Sequence, residues 1–179
     1  MLSVKLDDVT VGRVEGDIVA QRPHRPEPPA NITIAIANLP AQALELVLSR
    51  CTEAGAYAFV VFQADRSVAR GEKLERWQTI CREAAMLAGR LRIPAVATAP
   101  SAEAVIAAED DSVVLVRDAP DRLAAMTTPN HLTLLVGPEG GWTERELGLT
   151  SRKASLGPRN LRADTAALVA LSIAIAARE

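Results

Sequence analysis

The stretch LVGPEGGWTERELGLTSRKASLGPRNLRADTAAL, residues 135–168, decides how this chain of 179 residues folds. It contains two loops rich in glycine and proline, at 137–141 and 156–162, and each loop follows a short apolar run. Glycine lets the backbone approach a ligand closely, while proline fixes the conformation of the chain beside it. Two such loops at the ends of neighbouring strands would enclose a pocket of backbone N–H and C=O groups. The stretch therefore predicts a ligand site.

Short apolar runs alternate with helical patterns on both sides of this stretch. The predicted strands cover 32–37, 56–62, 95–98, 113–116, 132–136 and 154–156. The predicted helices cover 41–54, 73–88, 102–108, 143–147 and 165–177. Thr143 is the expected N-cap of the fourth helix. Such alternation is typical of an α/β fold with a mainly parallel sheet that is covered on both faces.

The amino-terminal part of the chain has a different pattern. Residues 1–20 alternate weakly between apolar and polar side chains around Gly12 and Gly16, which predicts a β-ribbon. Residues 21–30 contain four prolines and are expected to form an extended linker. The sequence thus divides at residue 30, with the main domain over 31–179.

Composition excludes several classes of protein. Hydrophobic residues make up 49% of the chain but aromatic residues only 3%, so the core is built from Ala, Val, Leu and Ile. No apolar run is expected to span a bilayer, and no secretory signal is visible. Cys51 and Cys81 stand in separate helical segments without a CxxC pair, so neither a disulfide framework nor a metal site is expected. These features favour a protein of the reducing cytoplasm.

The charged residues are unevenly distributed. The formal net charge is −2, which argues against a nucleic-acid binder coated in positive charge. Residues 66–92 nevertheless contain seven basic side chains against three acidic ones, and nearly all of the basic ones are arginines. Arginine pairs well with phosphate, although a solvated helix face explains such a run equally well. The charges alone leave both interpretations open.

The first glycine loop does not match a phosphate-binding loop. GPEGG fits neither GxxxxGK[ST] nor GxGxxG, and Glu139 places a negative charge where a phosphate would lie. A carboxylate suits a neutral or cationic ligand better. A tight connection between a strand and a helix, with Glu139 simply solvated, is the structural alternative.

Both loops resemble a known family. GPEGGWTE at 137–144 and LGPRNLRADTAA at 156–167 are similar to the motifs of the RsmE family of ribosomal RNA uridine-N3 methyltransferases. Further matching segments follow in family order, within 39–55, 66–68, 74–77, 83–85 and 89–94. The RsmE family belongs to the SPOUT class, so the resemblance implies a trefoil-knotted α/β methyltransferase domain over 31–179. It also implies S-adenosylmethionine as cofactor, no metal, and a homodimer.

The family usually begins with a complete β-barrel module of the PUA type that binds RNA. Residues 1–20 correspond at most to the last strands of such a module, so the resemblance implies a truncated PUA-like remnant, followed by the linker. The terminal helix is apolar nearly all round, which favours a dimer interface that includes Ile173 and Ile175.

The resemblance assigns site residues. The cofactor-binding candidates come from the two loops and the sheet end beside them: Leu115, Val116, Val136, Gly137, Pro138, Glu139, Gly140, Gly141, Ser155, Leu156, Gly157, Asn160, Leu161, Arg162 and Thr165. A side chain at Gly140 is expected to fill the ligand's approach. The candidates for phosphate contacts with RNA are Arg66, Arg70, Arg90 and Arg92.

Arg162 and Asp164 are the catalytic candidates. N3 of uridine carries a proton at neutral pH and is a poor nucleophile until that proton leaves. A guanidinium would stabilise the developing anion, and a carboxylate could orient the base or accept the proton through water. An ordinary N-cap role for Asp164 and a surface role for Arg162 are the structural alternatives.

The sequence departs from the family pattern in places. Asp164 stands where the family has Glu, and the link between Glu146 and Ser155 is shorter than in the family. The implied function is methylation of a uridine N3 in small-subunit (16S) rRNA, on free rRNA or on the assembled subunit. Two alternatives remain: a non-catalytic dimeric domain that binds S-adenosylmethionine without RNA docking, and a methyltransferase that acts on another RNA.

Overall fold

The computed structural model describes residues 2–178 of the chain. The strands are β1 (Leu2–Thr10), β2 (Arg13–Gln21), β3 (Asn31–Ala37), β4 (Ala58–Phe62), β5 (Ala95–Ala99), β6 (Ser112–Leu115), β7 (His131–Val136) and β8 (Lys153–Ala154). The helices are α1 (Ala41–Glu53), α2 (Leu74–Leu87), α3 (Ala102–Ala108), α4 (Glu144–Leu147) and α5 (Ala163–Ala176), and a short 3₁₀ turn lies at Leu123–Ala125. The predicted strands and helices are all present, with bounds shifted by a few residues.

Strands β3 to β8 form one sheet in the order β5-β4-β3-β7-β6-β8. Every neighbouring pair in it is parallel, which confirms the predicted α/β architecture. The strands β7, β6 and β8 are adjacent, so their carboxyl ends meet at one edge of the sheet. The loops that follow these three strands are therefore brought together although they lie far apart in the sequence.

The core lies on both faces of the sheet, as apolar strands require. On one face, Ile32, Ile34 and Ile36 of β3 are fully buried in a large cluster that includes side chains of α1, α2 and α5. On the other, Ala35 and Ala37 belong to a smaller cluster with α3. Full burial of each isoleucine contributes about 1.5–3 kcal/mol. The cysteines Cys51 and Cys81 are also completely buried in the larger cluster, and burial raises the pKa of the Cys51 thiol to about 12.

The terminal helix begins two residues earlier than predicted. Arg162 is its N-cap, and α5 starts at Ala163 rather than at Thr165. Asp164 is therefore not the N-cap but a residue of the first turn, where its carboxylate accepts the N–H of Thr165 at 2.9 Å. A negative charge in the first turn interacts favourably with the helix dipole, which explains why aspartate is suitable at this neighbouring position as well.

Much of α5 is covered by the chain itself. Its inner side packs against α1, β3 and β7, and Ala167, Leu171 and Ile175 are buried there. Ile175 therefore belongs to the core of the protomer, which corrects its prediction as an interface residue. Ile173 is only partly buried. No helix among residues 2–178 combines the length and the apolar character that a bilayer span demands.

The amino-terminal segment forms the predicted β-ribbon. Strands β1 and β2 pair antiparallel, with Val4 opposite Ile18 and Val9 opposite Val14. These four side chains are all between 45% and 63% exposed. Because cross-strand partners point to the same face of a ribbon, the register makes apolar pairs without covering them.

The proline-rich segment 21–30 is fixed to the main domain through Arg90. The Arg90 side chain is only 2% exposed, and its guanidinium lies 2.6 Å from the carboxylate of Glu27. It also donates to the carbonyls of Thr52 at 2.9 Å and Ala56 at 2.8 Å. Arg90 was predicted to contact RNA phosphate, and this prediction is wrong because the group is buried and fully occupied by the protein.

Replacement of Arg90 by Met should destabilise the fold, since the carbonyls of Thr52 and Ala56 lose the guanidinium as donor and the Glu27 carboxylate loses its charged partner. We expect a loss of about 3 kcal/mol in the free energy of unfolding, measured by urea denaturation. Arg82→Met, at an exposed position of α2, is the matched control and should change it by less than about 0.5 kcal/mol. Equal effects of the two substitutions would contradict the structural role of Arg90.

The same pair predicts a dependence on pH. Burial raises the pKa of Glu27, but hydrogen bonds and the charge of Arg90 outweigh burial and leave the pKa below its ordinary value of 4.5. The stabilisation is therefore present above pH 4.5 and is lost as pH falls through the lower, folded-state pKa. The Arg90→Met variant should lack this share of the acid sensitivity.

Candidate functional site

A cavity of about 620 Å³ opens at the carboxyl ends of β6, β7 and β8. Its walls are the turn after β6, the first glycine loop after β7, the second glycine loop after β8 and the start of α5. The two loops thus meet as the sequence predicts. Parallel sheets commonly bind ligands beyond the carboxyl ends of their strands, so this cavity is the candidate site.

Most of the predicted cofactor residues line the cavity. They are Leu115, Val116, Val136, Gly137, Pro138, Glu139, Gly141, Leu156, Gly157, Asn160, Leu161 and Arg162. Three predicted residues, Gly140, Ser155 and Thr165, lie outside the lining. Ser155 is buried and pairs through its N–H with the carbonyl of Asp121 at 2.8 Å, while Thr165 is exposed on α5.

The glycines of the first loop are required for reasons that differ from the prediction. A Cβ on Gly140 would face Arg66, 3.2 Å from its Cβ, and not the cavity. The expectation that a side chain at Gly140 fills the ligand's approach is therefore wrong. A Cβ on Gly137 would lie 2.7 Å from the indole of Trp142. Gly137 is the position where the absence of a side chain shapes the site.

Trp142 supports the cavity wall. Its Nε1 donates to the carbonyl of Leu115 at 2.9 Å, which connects the first glycine loop to the end of β6. The indole stacks on Phe62, with 6.0 Å between ring centroids and 7° between the planes. Trp142 therefore packs against neighbouring segments of the protein and also lines the cavity.

Sequence reasoning missed several residues of the lining. They are Arg117, Asp118, Trp142, Leu147, Arg159, Ala163 and Ala166. Arg117 and Asp118 directly follow the apolar run whose end was already predicted as a wall, and Arg159 lies within the second loop. For these three residues, the position after a predicted strand was a signal that could have identified them as part of the lining. Leu147, Ala163 and Ala166 carry no such signal, because only packing brings their helices to the cavity.

Charges surround the mouth of the cavity. Arg117 pairs with Asp118 at 2.8 Å, and this hydrogen bond holds the pKa of Asp118 below its ordinary range. The Arg162 side chain is 72% exposed, and its Nε lies 3.7 Å from the carboxylate of Asp164. The Asp164 side chain is only 14% exposed. Arg162 therefore lines the cavity and is accessible to an anionic group, whereas Asp164 lies beside it but is not part of the lining.

The remaining arginines predicted to bind phosphate differ in their surroundings. Arg70 and Arg92 are exposed, and the Arg92 guanidinium lies 4.4 Å from the centroid of the Tyr57 ring. Arg66 is exposed but donates to the carbonyls of Gly140 and Trp142 in the first glycine loop. Within residues 2–178, no group of three or more His, Cys, Asp or Glu side chains is arranged to hold a metal ion.

Comparison with known proteins defines the class first. Residues 26–175 match the model of the RNA methyltransferase domain family. A Legionella pneumophila protein described as a methyltransferase in complex with the bound cofactor SAM superposes with a TM-score of 0.81 at 26% identity, over 98% of this chain and 78% of that one. The chain therefore contains an RNA methyltransferase domain.

The particular family follows from curated relatives. The chain is 30% identical over 190 residues to ribosomal RNA small subunit methyltransferase E of Bacillus subtilis, covering 94% of this chain and 74% of the relative. It is 37% identical over 161 residues to the Synechocystis protein of that name, covering 82% of this chain but only 53% of the relative, about half its length. The enzyme of that name from Neisseria gonorrhoeae, bound to S-adenosyl methionine, has a TM-score of 0.82 at 25% identity, over 96% of this chain and 76% of that one. The chain belongs to the ribosomal RNA small subunit methyltransferase E family.

Gly137→Ala should displace the Trp142 indole, because the new Cβ would lie 2.7 Å from it. We expect a loss of about 1–3 kcal/mol in stability and a changed Trp142 fluorescence, recorded in a Trp77→Phe background. Gly141→Ala is the control: it strains the backbone at φ +71° but has no atom within 4 Å of its Cβ. An indole signal that changes equally in both variants would refute this account of Gly137.

Proposed function

We propose that the chain binds S-adenosylmethionine in the cavity and transfers its methyl group to N3 of a uridine in 16S rRNA. The observation that carries the proposal is the meeting of both glycine loops at one 620 Å³ cavity. Membership of the family and the superposition on two structures with the bound cofactor support it.

The lining suits this cofactor. Leu115, Val116, Val136, Leu156 and Leu161 provide apolar surface for a flat base. Three arginines also line the cavity, and one of them, Arg117, is paired with Asp118. Glu139 is the lining carboxylate that makes no ion pair among residues 2–178, so it is the group proposed to attract a cation. S-adenosylmethionine, when bound, supplies a methyl group activated by a positively charged sulfur.

Arg162 is proposed to stabilise the uridine as it loses its N3 proton. Its guanidinium is exposed at the mouth of the cavity, where it can contact the developing negative charge of the base. Asp164 is proposed to orient this guanidinium, since its carboxylate is only 14% exposed and lies 3.7 Å from Nε, an ion-pair distance. The shorter aspartate in place of the family's glutamate suits this orienting role, because the carboxylate stays near the backbone of the first helical turn.

Arg70 and Arg92 remain candidates for contacts with RNA phosphates. Both side chains are exposed, and neither makes an ion pair among the described residues. The β1–β2 ribbon corresponds, in this proposal, to part of a PUA-like module that docks RNA. The assembled small subunit is then a better substrate than free rRNA. Its RNA is already folded into a fixed surface, which the few RNA contacts of this chain can recognise.

The trefoil knot belongs to the same proposal. Residues 152–155 pair with β6 on one side and with residues 121–123 on the other. The β6–β7 connection therefore runs along both sides of this short segment. Helix α5 then returns to pack against β3 and β7. This path is what a chain end threaded through that connection would follow. A homodimer that uses the outer side of α5, in the cytoplasm, completes the proposal.

Isothermal titration with S-adenosylhomocysteine tests the cofactor site. We expect one site per chain with micromolar affinity or better, about −8 kcal/mol, because the turn after β6, both glycine loops and the start of α5 all offer contacts to the ligand. Methyl transfer is then measured on 16S rRNA and on small subunits lacking the modification, with mass analysis of the nucleosides. Absence of binding by folded protein would refute the proposal. Binding without transfer to either substrate would favour the non-catalytic domain. Transfer to a different RNA would favour a methyltransferase with another RNA substrate.

Arg162→Ala should separate chemistry from cofactor binding. We expect nearly unchanged affinity for S-adenosylhomocysteine and a fall in kcat of about 10²–10³, as for loss of one donor to transition-state charge. Arg50→Ala, at an exposed position of α1, is the control and should leave both values unchanged. A kcat close to wild type in Arg162→Ala would exclude a catalytic role.

A further inference from the structure

The segment that follows β4 is bonded to the first glycine loop. Nη1 of Arg66 donates to the carbonyl of Gly140 at 3.0 Å and to that of Trp142 at 3.3 Å. The Arg66 Cβ also lies against Gly140, where an added Cβ would come within 3.2 Å. Arg66 thus contacts the glycine loop both through hydrogen bonds and through its aliphatic stem.

A buried carboxylate connects the same two segments. Glu146 of α4 is only 2% exposed. Its Oε2 accepts the backbone N–H of Thr143 at 2.9 Å, and its Oε1 accepts the backbone N–H of Asp65 at 3.1 Å. A buried carboxylate needs several donors, and here they come from both segments at once. Separation of the segments would leave this charge without part of its hydrogen bonding.

Two peptide groups of the loop are held at both ends. In a trans peptide the C=O and the N–H point in opposite directions. The 140–141 group gives its carbonyl to Arg66 and its N–H, that of Gly141, to the carbonyl of Pro138 at 2.9 Å. The 142–143 group gives its carbonyl to Arg66 and its N–H to Glu146. Rotation of either peptide plane would break a bond at each end.

Asp65 completes the connection. Its carboxylate accepts from Arg145 at 2.6 Å and lies 2.8 Å from the hydroxyl of Thr143. The hydrogen bond from Arg145, followed by that from Thr143, lowers the pKa of Asp65. The Asp65 side chain thus connects the segment after β4, next to Arg66, to Thr143 and Arg145 at the start of α4.

We propose that Arg66 is a positioning residue for the methyltransferase reaction: it acts through the backbone of 140–143 to hold the cofactor loop in its binding shape. The inference rests on the proposed function. Gly137, Glu139 and Trp142 line the cavity on the same loop, so loosening of 140–143 is transmitted directly to the wall. This assigns Arg66 to the cofactor loop, in place of the phosphate contact that its charge suggested.

The test is the affinity for S-adenosylhomocysteine, measured by titration at a temperature where all variants are folded. Arg66→Ala should raise Kd by about tenfold or more, because the loop loses its pre-organisation. Arg66→Lys should recover part of the affinity, since an ammonium can still donate to a carbonyl. Arg82→Ala is the control and should leave Kd unchanged. A Kd within twofold of wild type in Arg66→Ala overturns the proposal.

Two further measurements distinguish this role from others. Hydrogen exchange should be faster at the amides of Gly141 and Thr143 in Arg66→Ala and unchanged in β3; an unchanged loop, or equal acceleration everywhere, overturns the proposal. The salt dependence of RNA binding should stay as in wild type for Arg66→Ala, whereas a slope reduced by about one phosphate contact would identify Arg66 as an RNA ligand. If wild type itself does not bind S-adenosylhomocysteine, the proposed function fails, and hydrogen exchange still decides whether Arg66 holds the loop.

Discussion

The pairing of β8 with β6 is the interaction on which the rest of the site depends. It involves two residues, Lys153 and Ala154, yet it determines where the second glycine loop begins. Backbone bonds hold residues 152–155 on both sides, through the N–H groups of Val114 and Val116 and through Asp121 and Leu123 of the β6–β7 connection. Ala154 is completely buried, so water does not compete for these bonds. Without this pairing the two loops would not face each other.

The two glycine loops are fixed by different means. The first depends on side chains, with Trp142 packed on its inner side and Arg66 on its outer side. The second is positioned by backbone pairing immediately before it, and Gly157 then turns the chain at φ +112°. A loop fixed by side chains is sensitive to substitutions at distant sequence positions, whereas a loop fixed by pairing is sensitive mainly to its own backbone. The first loop is therefore the one that other parts of the protein can influence.

The sequence predicted the sheet, the helices and the meeting of the loops because each has a local signal, in apolar runs, in periodicity and in glycine–proline pairs. The role of Arg90 had no such signal. An arginine in a basic run suggests a surface, and only the folded chain brings Glu27 to it from 63 residues away. The contact of Gly140 with Arg66 escaped prediction for the same reason. The N-cap of α5 was misplaced because Asp164 is a good capping residue by type, but the backbone begins the helix at Ala163. Local rules identify what a residue suits, and tertiary contacts decide which of its uses is realised.

The burial of both thiols makes the protein a reporter of its own opening. Burial raises the pKa of the Cys51 thiol to about 12, which disfavours the reactive thiolate, and the fully buried side chain is closed to reagents in the folded core. Cys81 on the facing helix α2 is equally enclosed, and burial raises its pKa as well. Alkylation of either residue therefore requires α1 and α2 to part. The rate of alkylation at each cysteine therefore measures how often its helix opens, without any engineered probe.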